Sequence, residues 1–315
     1  MLYRLNILDP TGRRVWAQNR PLPSVYLDHW AFRNISEDPA LADRFRRAIL
    51  ARNGTLSISV ANIVEFSQVA DRRQIDLAEQ FIDSLLPHVF FQNTNFLEVA
   101  DIEKKRKQGL KSNGSPDSDV PIMSMFTQNA RDFDTLPSAR AGLHSIAQNA
   151  SQYKMILEMG ADLFKSRAEK EWFPQIERAG VAGMTNTLKS ASRESVTEPV
   201  FIALCEYLHR RKSPIKKNDV MDYVHMLVPV THNQYVLLDG NTRQAADAVL
   251  SRLKKAYSEM DPRLGEMLVN SFAAVYSKSD LEQFFRELET GEDIKKTEAA
   301  RATAAAAKGE TAPTR

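Results

Sequence analysis

The chain contains very little cysteine, because Cys205 is the single one among 315 residues. One cysteine excludes an internal disulfide, and chains without disulfides are typical of reducing compartments. Cys205 lies inside the apolar segment VFIALCEYL, which predicts a buried thiol rather than a reactive one. We therefore expect a cytoplasmic protein in which cysteine chemistry plays no part.

Long apolar runs and a dominant charge are also missing. No run approaches the roughly 18 to 20 residues of a membrane-spanning helix, and the start MLYRLNILDPTGRR lacks the apolar core of a signal peptide. Lys and Arg number 42 against 40 Asp and Glu, so a net charge of +2 does not by itself indicate nucleic acid. The 43% of hydrophobic residues is enough for a large core. These absences predict a protein without membrane association.

The first third of the chain carries two strand-and-helix units and a third strand. Residues 3–18 alternate around the turn sequence Asp9-Pro10-Thr11-Gly12, which predicts a β-hairpin able to cover a sheet edge. Asp28 ends the first predicted strand, and Glu65 lies in the first turn of the helix after the second. The predicted strands are 24–27, 55–60 and 89–91, and the predicted helices are 40–50, one opening at 62–66, and 76–86.

The middle of the chain has helical patterns and no convincing strand. The basic run Lys104, Lys105, Arg106 and Lys107 leads into a polar stretch at 112–119 that predicts a flexible loop. Apolar stripes predict long helices at 138–172 and 197–212. The predicted organisation is an N-terminal hairpin (1–20), the first half of an α/β domain (21–94), a helical insertion (95–213), the second half (214–290) and a disordered tail (291–315).

The segment 216–242 has the densest set of candidate functional residues. Asp219 and Asp222 lie three apart, so they share one face of a helix that Asn218 is placed to cap and that Pro229 ends. A β-prone run then ends at Asp239. The pattern continues with a helix at 242–257, a strand at 272–276 and a helix at 279–288.

Five carboxylates thus fall at strand ends or helix starts, which meet at one edge of a parallel sheet. They are Asp28, Glu65, Asp219, Asp222 and Asp239. Gathered carboxylates repel one another and need a cation. Oxygen ligands without cysteine or a histidine cluster favour Mg²⁺ or Mn²⁺ over Zn²⁺. One or two such ions activate water on a phosphodiester, so the pattern predicts metal-dependent hydrolysis.

The order of these motifs resembles the PIN domain family of α/β nucleases. The resemblance rests on VYLD at Asp28, the Ser59-to-Glu65 region, Asn218-Asp219 at a helix start, and YVLLD at Asp239. It implies an α/β fold with a three-layer α/β/α arrangement, a central parallel sheet and, here, a helical insertion. It also implies that Asp28, Glu65, Asp219 and Asp239 are the catalytic, metal-binding acids, with Asp222 as an additional or substitute ligand.

The resemblance carries expectations about activity and partners. It implies an endoribonuclease acting on single-stranded RNA, either as a toxin held by an inhibitor protein or in RNA processing. One departure is Leu237, where the family has Thr or Ser two residues before the last acid, so a hydroxyl must come from Thr242 or be absent. The alternative is a catalytically silent module of the same fold, whose insertion binds a partner protein, nucleic acid or a second copy of the chain.

Each candidate residue also has a purely structural explanation. Asp219 and Glu65 suit the positive N-terminal turn of a helix without any metal. His29 and His225 lie beside apolar residues, which favours packing or support of the site over catalysis. The basic run at 104–107 is typical of a solvated face, and contact with phosphates is the alternative.

Overall fold

A computed structural model of the chain describes residues 1–8, 14–68, 71–110, 114–127, 150–211 and 214–292. Three predictions fall wholly or partly outside these residues: the hairpin turn at 9–12, the first part of the helix at 138–172, and the disordered tail from 293 onward. Among the helices in this part of the chain, none is both long and apolar enough to cross a membrane.

A five-stranded sheet with all strands parallel lies at the centre, in the order β5-β4-β3-β6-β7. An antiparallel hairpin precedes it, formed by β1 and β2. These arrangements confirm the predicted α/β class, parallel sheet and hairpin. The strands are β1 (Leu2–Leu8), β2 (Arg14–Gln18), β3 (Ser24–Leu27), β4 (Thr55–Ser59), β5 (Val89–Gln92), β6 (Tyr235–Leu237) and β7 (Ala274–Tyr276).

Helices fill the connections between the strands. A π-helical turn at Ala168–Trp172 separates α7 from α8, and a 3-10 turn at Lys278–Asp280 precedes the last helix. The α-helices are α1 (His29–Glu37), α2 (Pro39–Ala51), α3 (Val60–Ser67), α4 (Arg72–Leu85), α5 (Phe96–Lys107), α6 (Val120–Thr127), α7 (Ala150–Arg167), α8 (Phe173–Ala191), α9 (Glu198–Arg211), α10 (Lys217–Leu227), α11 (Pro229–His232), α12 (Gly240–Ser258), α13 (Pro262–Asn270) and α14 (Leu281–Thr290). Between 95 and 213, the described residues form helices and no strand beyond an isolated bridge at Ser118.

Two hydrophobic cores lie on the two faces of the sheet. Successive strand residues point to opposite faces, so Val25 and Leu27 join one core while Tyr26 joins the other. The first core packs β-strands against α1, α2, α4 and α14, and the second packs them against α9, α10 and α12. Both faces are covered, as is usual for parallel strands, so every residue of β3, β4 and β5 is buried, including the polar Thr55, Ser57 and Ser59 of β4.

The strand order reverses at β3, since β4 and β5 lie on one side of it and β6 and β7 on the other. All five strands run in the same direction, so their last residues meet at one edge, which we call the carboxyl edge. Asp28 follows β3 and Asp239 lies two residues after Leu237, the last residue of β6. In open α/β sheets, ligands bind at this edge where the order reverses.

The hairpin closes one side of the sheet. The side-chain amide of Gln18 donates to the carbonyl of Phe91 at 2.8 Å and accepts from its N–H at 2.8 Å. The N–H of Leu2 also donates to the carbonyl of Pro87, just before β5. Gln18 therefore satisfies the backbone of β5 where a further strand would, which agrees with the prediction that the hairpin covers a sheet edge.

The polar stretch at 112–119 is not the solvated loop that its composition suggests, as far as the described residues 114–119 show. Asp117 is fully buried, pairs with Arg20 of the hairpin, and accepts from the amide of Gln92 at 2.8 Å. Burial opposes ionisation, but the charges of His232 and Arg20 hold the pKa of Asp117 well below its usual value. An ionised carboxylate thus joins this loop to the sheet.

Candidate active site at the carboxyl edge

Asp28 is a buried carboxylate that joins two strand ends. It caps α1, where its Oδ1 accepts from the N–H of Ala31 at 3.1 Å. Its Oδ2 accepts from the N–H of Asp239 at 2.6 Å, which ties the chain after β6 to the chain after β3. The sequence placed Asp28 at a strand end, and the structure adds that both of its oxygen atoms are held.

Asp239 caps α12 in a similar way. Its Oδ1 accepts from the N–H groups of Asn241 and Thr242, and its Oδ2 accepts from the Thr242 hydroxyl at 2.6 Å. The hydroxyl expected from Thr242, in place of one at Leu237, therefore contacts the acid. Asp28 and Asp239 are adjacent through the bond between them, so two of the predicted acids meet.

Glu65 reaches the same region from α3. Its Oε2 lies 3.0 Å from Nε2 of His225, a residue of α10, and 3.9 Å from Nδ1 of His29. The Nδ1 atom of His29 is buried and makes no hydrogen bond within the described residues. Both histidines were interpreted from the sequence as structural or supporting, and both lie beside a candidate acid.

The two carboxylates on α10, Asp219 and Asp222, have different surroundings from those that the sequence suggested. Lys216 rather than Asn218 occupies the N-cap position of the helix, and its N–H donates to Oδ2 of Asp219 at 3.2 Å. Asp219 accepts from Nη2 of Arg211 at 2.6 Å, so it is tied to the end of α9. Asp222, one turn further on, is half-buried, and its pKa is raised by the charges of Asp239 and Glu65 in addition to burial. Asp222 rather than Asp219 therefore joins the other acids.

The pKa values reveal excess negative charge at this edge. Burial, opposed in part by the charge of His225, raises the pKa of Asp28 from 3.8 to about 7. Burial and then the charge of Asp239 raise the pKa of Asp222 to about 6. Burial also acts on Glu65, but the charge and hydrogen bond of His225 outweigh it and lower the pKa. One buried imidazole thus compensates only part of the acidic charge.

Burial by itself lowers the pKa of His225. Glu65 opposes burial through its charge and its hydrogen bond, and the charges of Asp28 and Asp222 add to this. The sum is a pKa above the usual value of 6.5. His225 is thus a buried group that the surrounding acids stabilise in its cationic form.

The basic run 104–107 lies at the other end of the sheet. Its neighbour Glu103 accepts from Nε2 of His232 at 2.8 Å, and His232 lies just before the first residue of β6. Two of the cations have carboxylate partners: Lys104 pairs with Glu198 and Lys105 with Asp101, each at 2.6 Å. The guanidinium of Arg106 donates to the carbonyl of Gly114, and Lys107 is exposed. Contact between this run and phosphates at the carboxyl edge is therefore not favoured.

A divalent cation fits this edge by donor type and by charge. Asp28, Glu65, Asp222 and Asp239 offer hard oxygen ligands. A carboxylate has about four lone-pair sites, so the capping bonds leave acceptor capacity. At the present distances, however, the described residues contain no group of three or more His, Cys, Asp or Glu side chains that could hold a metal ion. Binding therefore requires these side chains to move closer together.

The sequence did not reveal the buried partners of His225. Its Nδ1 lies 2.6 Å from the hydroxyl of Tyr26, which in turn lies 2.9 Å from Oγ of Ser59. The available signal was the alternation of β3, because Tyr26 points to the opposite face from Val25 and Leu27. A hydroxyl on the face that α10 covers needs a buried polar partner.

Comparison with known proteins assigns no family to this chain. No family model matches it, and no curated protein or solved structure is significantly similar to it. The assignment of function therefore depends on the geometry of the carboxyl edge and on the motif resemblance.

Proposed function

We propose that this chain is a metal-dependent nuclease with a PIN-like fold that hydrolyses phosphodiester bonds in single-stranded RNA. The observation that carries the proposal is the direct contact of Asp28 with Asp239 at the point where the sheet order reverses, with Glu65 and Asp222, from two further elements, near enough for their charges to act on this pair. The raised pKa values of Asp28 and Asp222 support a cation there, because a cation would relieve their repulsion.

The residues of the site have distinct roles in this proposal. Mg²⁺ or Mn²⁺ held by the four carboxylates would activate a water molecule and stabilise the charge on the leaving oxygen. Asp28 and Asp239 are fixed by the helices that they cap, so they orient ligand and substrate. Asp222 is half-buried, so in this proposal it faces both the cation and the solvent from which the attacking water comes, and it is the proton acceptor for that water.

The substrate class follows from the surroundings of the acids and from the resemblance. Helices α1, α3 and α12 all begin at the carboxyl edge, and helix N-termini favour phosphate groups. The choice of RNA, and a role as a toxin with an inhibitor protein or in RNA processing, come from the PIN-like motifs. The same four acids would hold the one or two metal ions that this reaction uses.

The test is cleavage of labelled single-stranded RNA and DNA by the purified chain, with Mn²⁺ and with EDTA. We expect cleavage of RNA that requires the metal. The variants Asp222→Asn and Asp219→Asn are a matched pair on one helix, three residues apart. Loss of a catalytic proton acceptor typically costs a factor of about 100 to 10,000, so Asp222→Asn should lose at least the smaller factor and Asp219→Asn should retain activity.

Two results would contradict this proposal. Cleavage that persists in EDTA would remove the metal from the mechanism. Cleavage that persists in purified Asp222→Asn would show that this acid takes no part. Purification of both variants by the same procedure controls for a contaminating nuclease.

A partner-binding function is the second candidate, and an exposed stripe on α7 favours it. Met155, Met159 and Leu163 lie one turn apart and are 56%, 64% and 56% exposed. Methionine-rich apolar surfaces are adaptable binding sites for proteins, including a second copy of the chain. An absence of cleavage together with an unchanged melting temperature on adding Mn²⁺ would favour this function over the nuclease.

A further inference from the structure

His225 joins Glu65 to the interior of the protein through both of its ring nitrogen atoms. Nε2 lies 3.0 Å from Oε2 of Glu65, and Nδ1 lies 2.6 Å from the hydroxyl of Tyr26. The His225 side chain is 4% exposed, whereas that of Glu65 is 25% exposed. The histidine is therefore the fixed member of the pair, and the glutamate is the member that can move.

The direction of each hydrogen bond follows from the amide at the far end of the network. The Asn62 Nδ2 group donates to the carbonyl of Leu27 at 2.9 Å, so its Oδ1 faces Ser59 and accepts from the Ser59 hydroxyl at 3.1 Å. With its proton used there, Ser59 Oγ accepts from the hydroxyl of Tyr26. The Tyr26 oxygen then accepts from Nδ1–H of His225.

This order of donors and acceptors allows the imidazole ring of His225 only one orientation. A ring flip would place carbon atoms against both Tyr26 and Glu65 and would leave buried polar atoms without partners, at a cost of about 1–3 kcal/mol each. The Nε2–H group is therefore directed at Glu65 by bonds that begin in the core of the protein. A glutamate on its own has several freely rotating bonds, and their ordering opposes ligand binding.

We propose that His225 is a positioning residue that keeps the Glu65 carboxylate ordered at the carboxyl edge, so that less ordering opposes ligand binding when the acids close around a divalent cation. The inference rests on the proposed metal-dependent function and adds a residue outside the set of acids. Groups that orient metal ligands in this way typically contribute a factor of 10 to 100 in metal affinity. His225 contributes through the bond from Nε2, and Tyr26 contributes by fixing the ring.

Two amide variants separate positioning from charge and from packing. In His225→Gln, the side-chain amide reaches the place of Nε2 and can still donate to Glu65. In His225→Asn, the amide reaches only the place of Nδ1, so it contacts Tyr26 and leaves Glu65 unsupported. Both variants lose the imidazole and its charge. A difference in their affinity for the metal therefore measures the contribution of the hydrogen bond from the place of Nε2 to Glu65.

The measurement is the affinity for Mn²⁺ by calorimetric titration of the full chain, with circular dichroism to verify folding. We expect His225→Asn to bind Mn²⁺ about 10- to 100-fold more weakly than the unaltered chain, and His225→Gln to lose much less. A third variant, Tyr26→Phe, keeps the ring shape and removes only the hydroxyl. It should weaken binding in the same direction and serves as the test if the buried histidine variants do not fold.

The outcomes distinguish this inference from the proposed function. If the unaltered chain binds Mn²⁺ and the Asn and Gln variants bind equally well, the positioning role is wrong while the metal site stands. The same holds if Tyr26→Phe has unchanged affinity. If the unaltered chain binds no Mn²⁺, the metal-dependent function is wrong, and the positioning role is overturned with it.

Discussion

Replacing Asp28 with asparagine should stabilise the fold at pH 8, and this effect should be lost as the pH falls to 5. Asp28 is buried, and its pKa in the folded chain is about 7 against a usual value of 3.8. Because the folded value is the higher one, the folded chain binds more protons than the unfolded chain between these pH values. The stability that protonated Asp28 provides is therefore complete below pH 3.8 and is lost as the pH rises through 7.

The magnitude follows from the difference of about three pKa units, at 1.36 kcal/mol for each. Ionised Asp28 costs about 4 kcal/mol at pH 8 and about 1.5 kcal/mol at pH 5. Asparagine removes this cost but cannot accept from both Ala31 and Asp239, so one backbone N–H loses its partner at about 1–3 kcal/mol. The expected net gain is about 1–3 kcal/mol at pH 8, and the difference between pH 8 and pH 5 is about 2.5 kcal/mol.

The assay is urea unfolding at the two pH values, followed by circular dichroism, with the slopes compared to verify that both chains unfold to the same extent. Asp38 provides the control, because it caps α2 from an exposed position and Asp38→Asn makes the same chemical change. The control measures the effect of the same substitution at a helix cap where the side chain is exposed to solvent. The reasoning would be refuted if the difference in unfolding free energy between Asp28→Asn and the unaltered chain were the same at pH 5 and at pH 8.

Two further predictions concern packing and buried charge. Glu103→Gln should cost about 2–6 kcal/mol of unfolding free energy in urea, because the carboxylate accepts from His232, Ser195 and Thr197 and the amide nitrogen cannot accept, which leaves about two buried donors without a partner at about 1–3 kcal/mol each. A loss below about 1 kcal/mol, the value of an exposed pair, would contradict this. Gly265→Ala should destabilise by about 1–3 kcal/mol, since its Cβ would overlap the carbonyl of Tyr257. Gly160→Ala, on a helix with open space, is its control and should stabilise by about 0.5–1 kcal/mol; equal melting temperatures for the two variants would be inconsistent with this packing.

The strands and the acids at their ends could be predicted because their causes are local. A short β-prone run needs only its own residues to be recognised, and Asp28 and Asp239 follow directly after such runs. Position after a parallel strand is enough to assign a residue to the carboxyl edge. The number of sheet strands and the covering role of the hairpin follow from the same local patterns.

The choice between Asp219 and Asp222 could not be made locally. Both share one helix face, and what separates them is Arg211, which binds Asp219 from the end of the preceding helix. The cap of α10 is also shifted to Lys216, so Asn218 does not act as the sequence suggested. The N–H of Lys216 is satisfied locally by Asp219, three residues later, so an acid of the first turn does what a capping side chain at Asn218 was expected to do.

Two polar networks were missed because their members are distant in the sequence. Tyr26 and His225 are 199 residues apart, and Arg20 and Asp117 are 97 apart. In the sequence, Asp117 belongs to a Ser-, Gly- and Asp-rich stretch that is typical of a solvated loop. The fold brings Arg20 beside Asp117, and this paired charge offsets the free-energy cost of burying the carboxylate.

The pairing of Gln18 with the backbone of Phe91 limits how copies of this chain can assemble. Strand edges with free N–H and C=O groups recruit strands from other molecules, which leads to continuous sheets and to aggregation. Here the side-chain amide of Gln18, together with the backbone of residues 117–119, occupies the hydrogen-bonding groups that an incoming strand would need at the outer side of β5. Removal of residues 1–20 should therefore create a surface that promotes aggregation, and a homodimer must form without extending the sheet at β5.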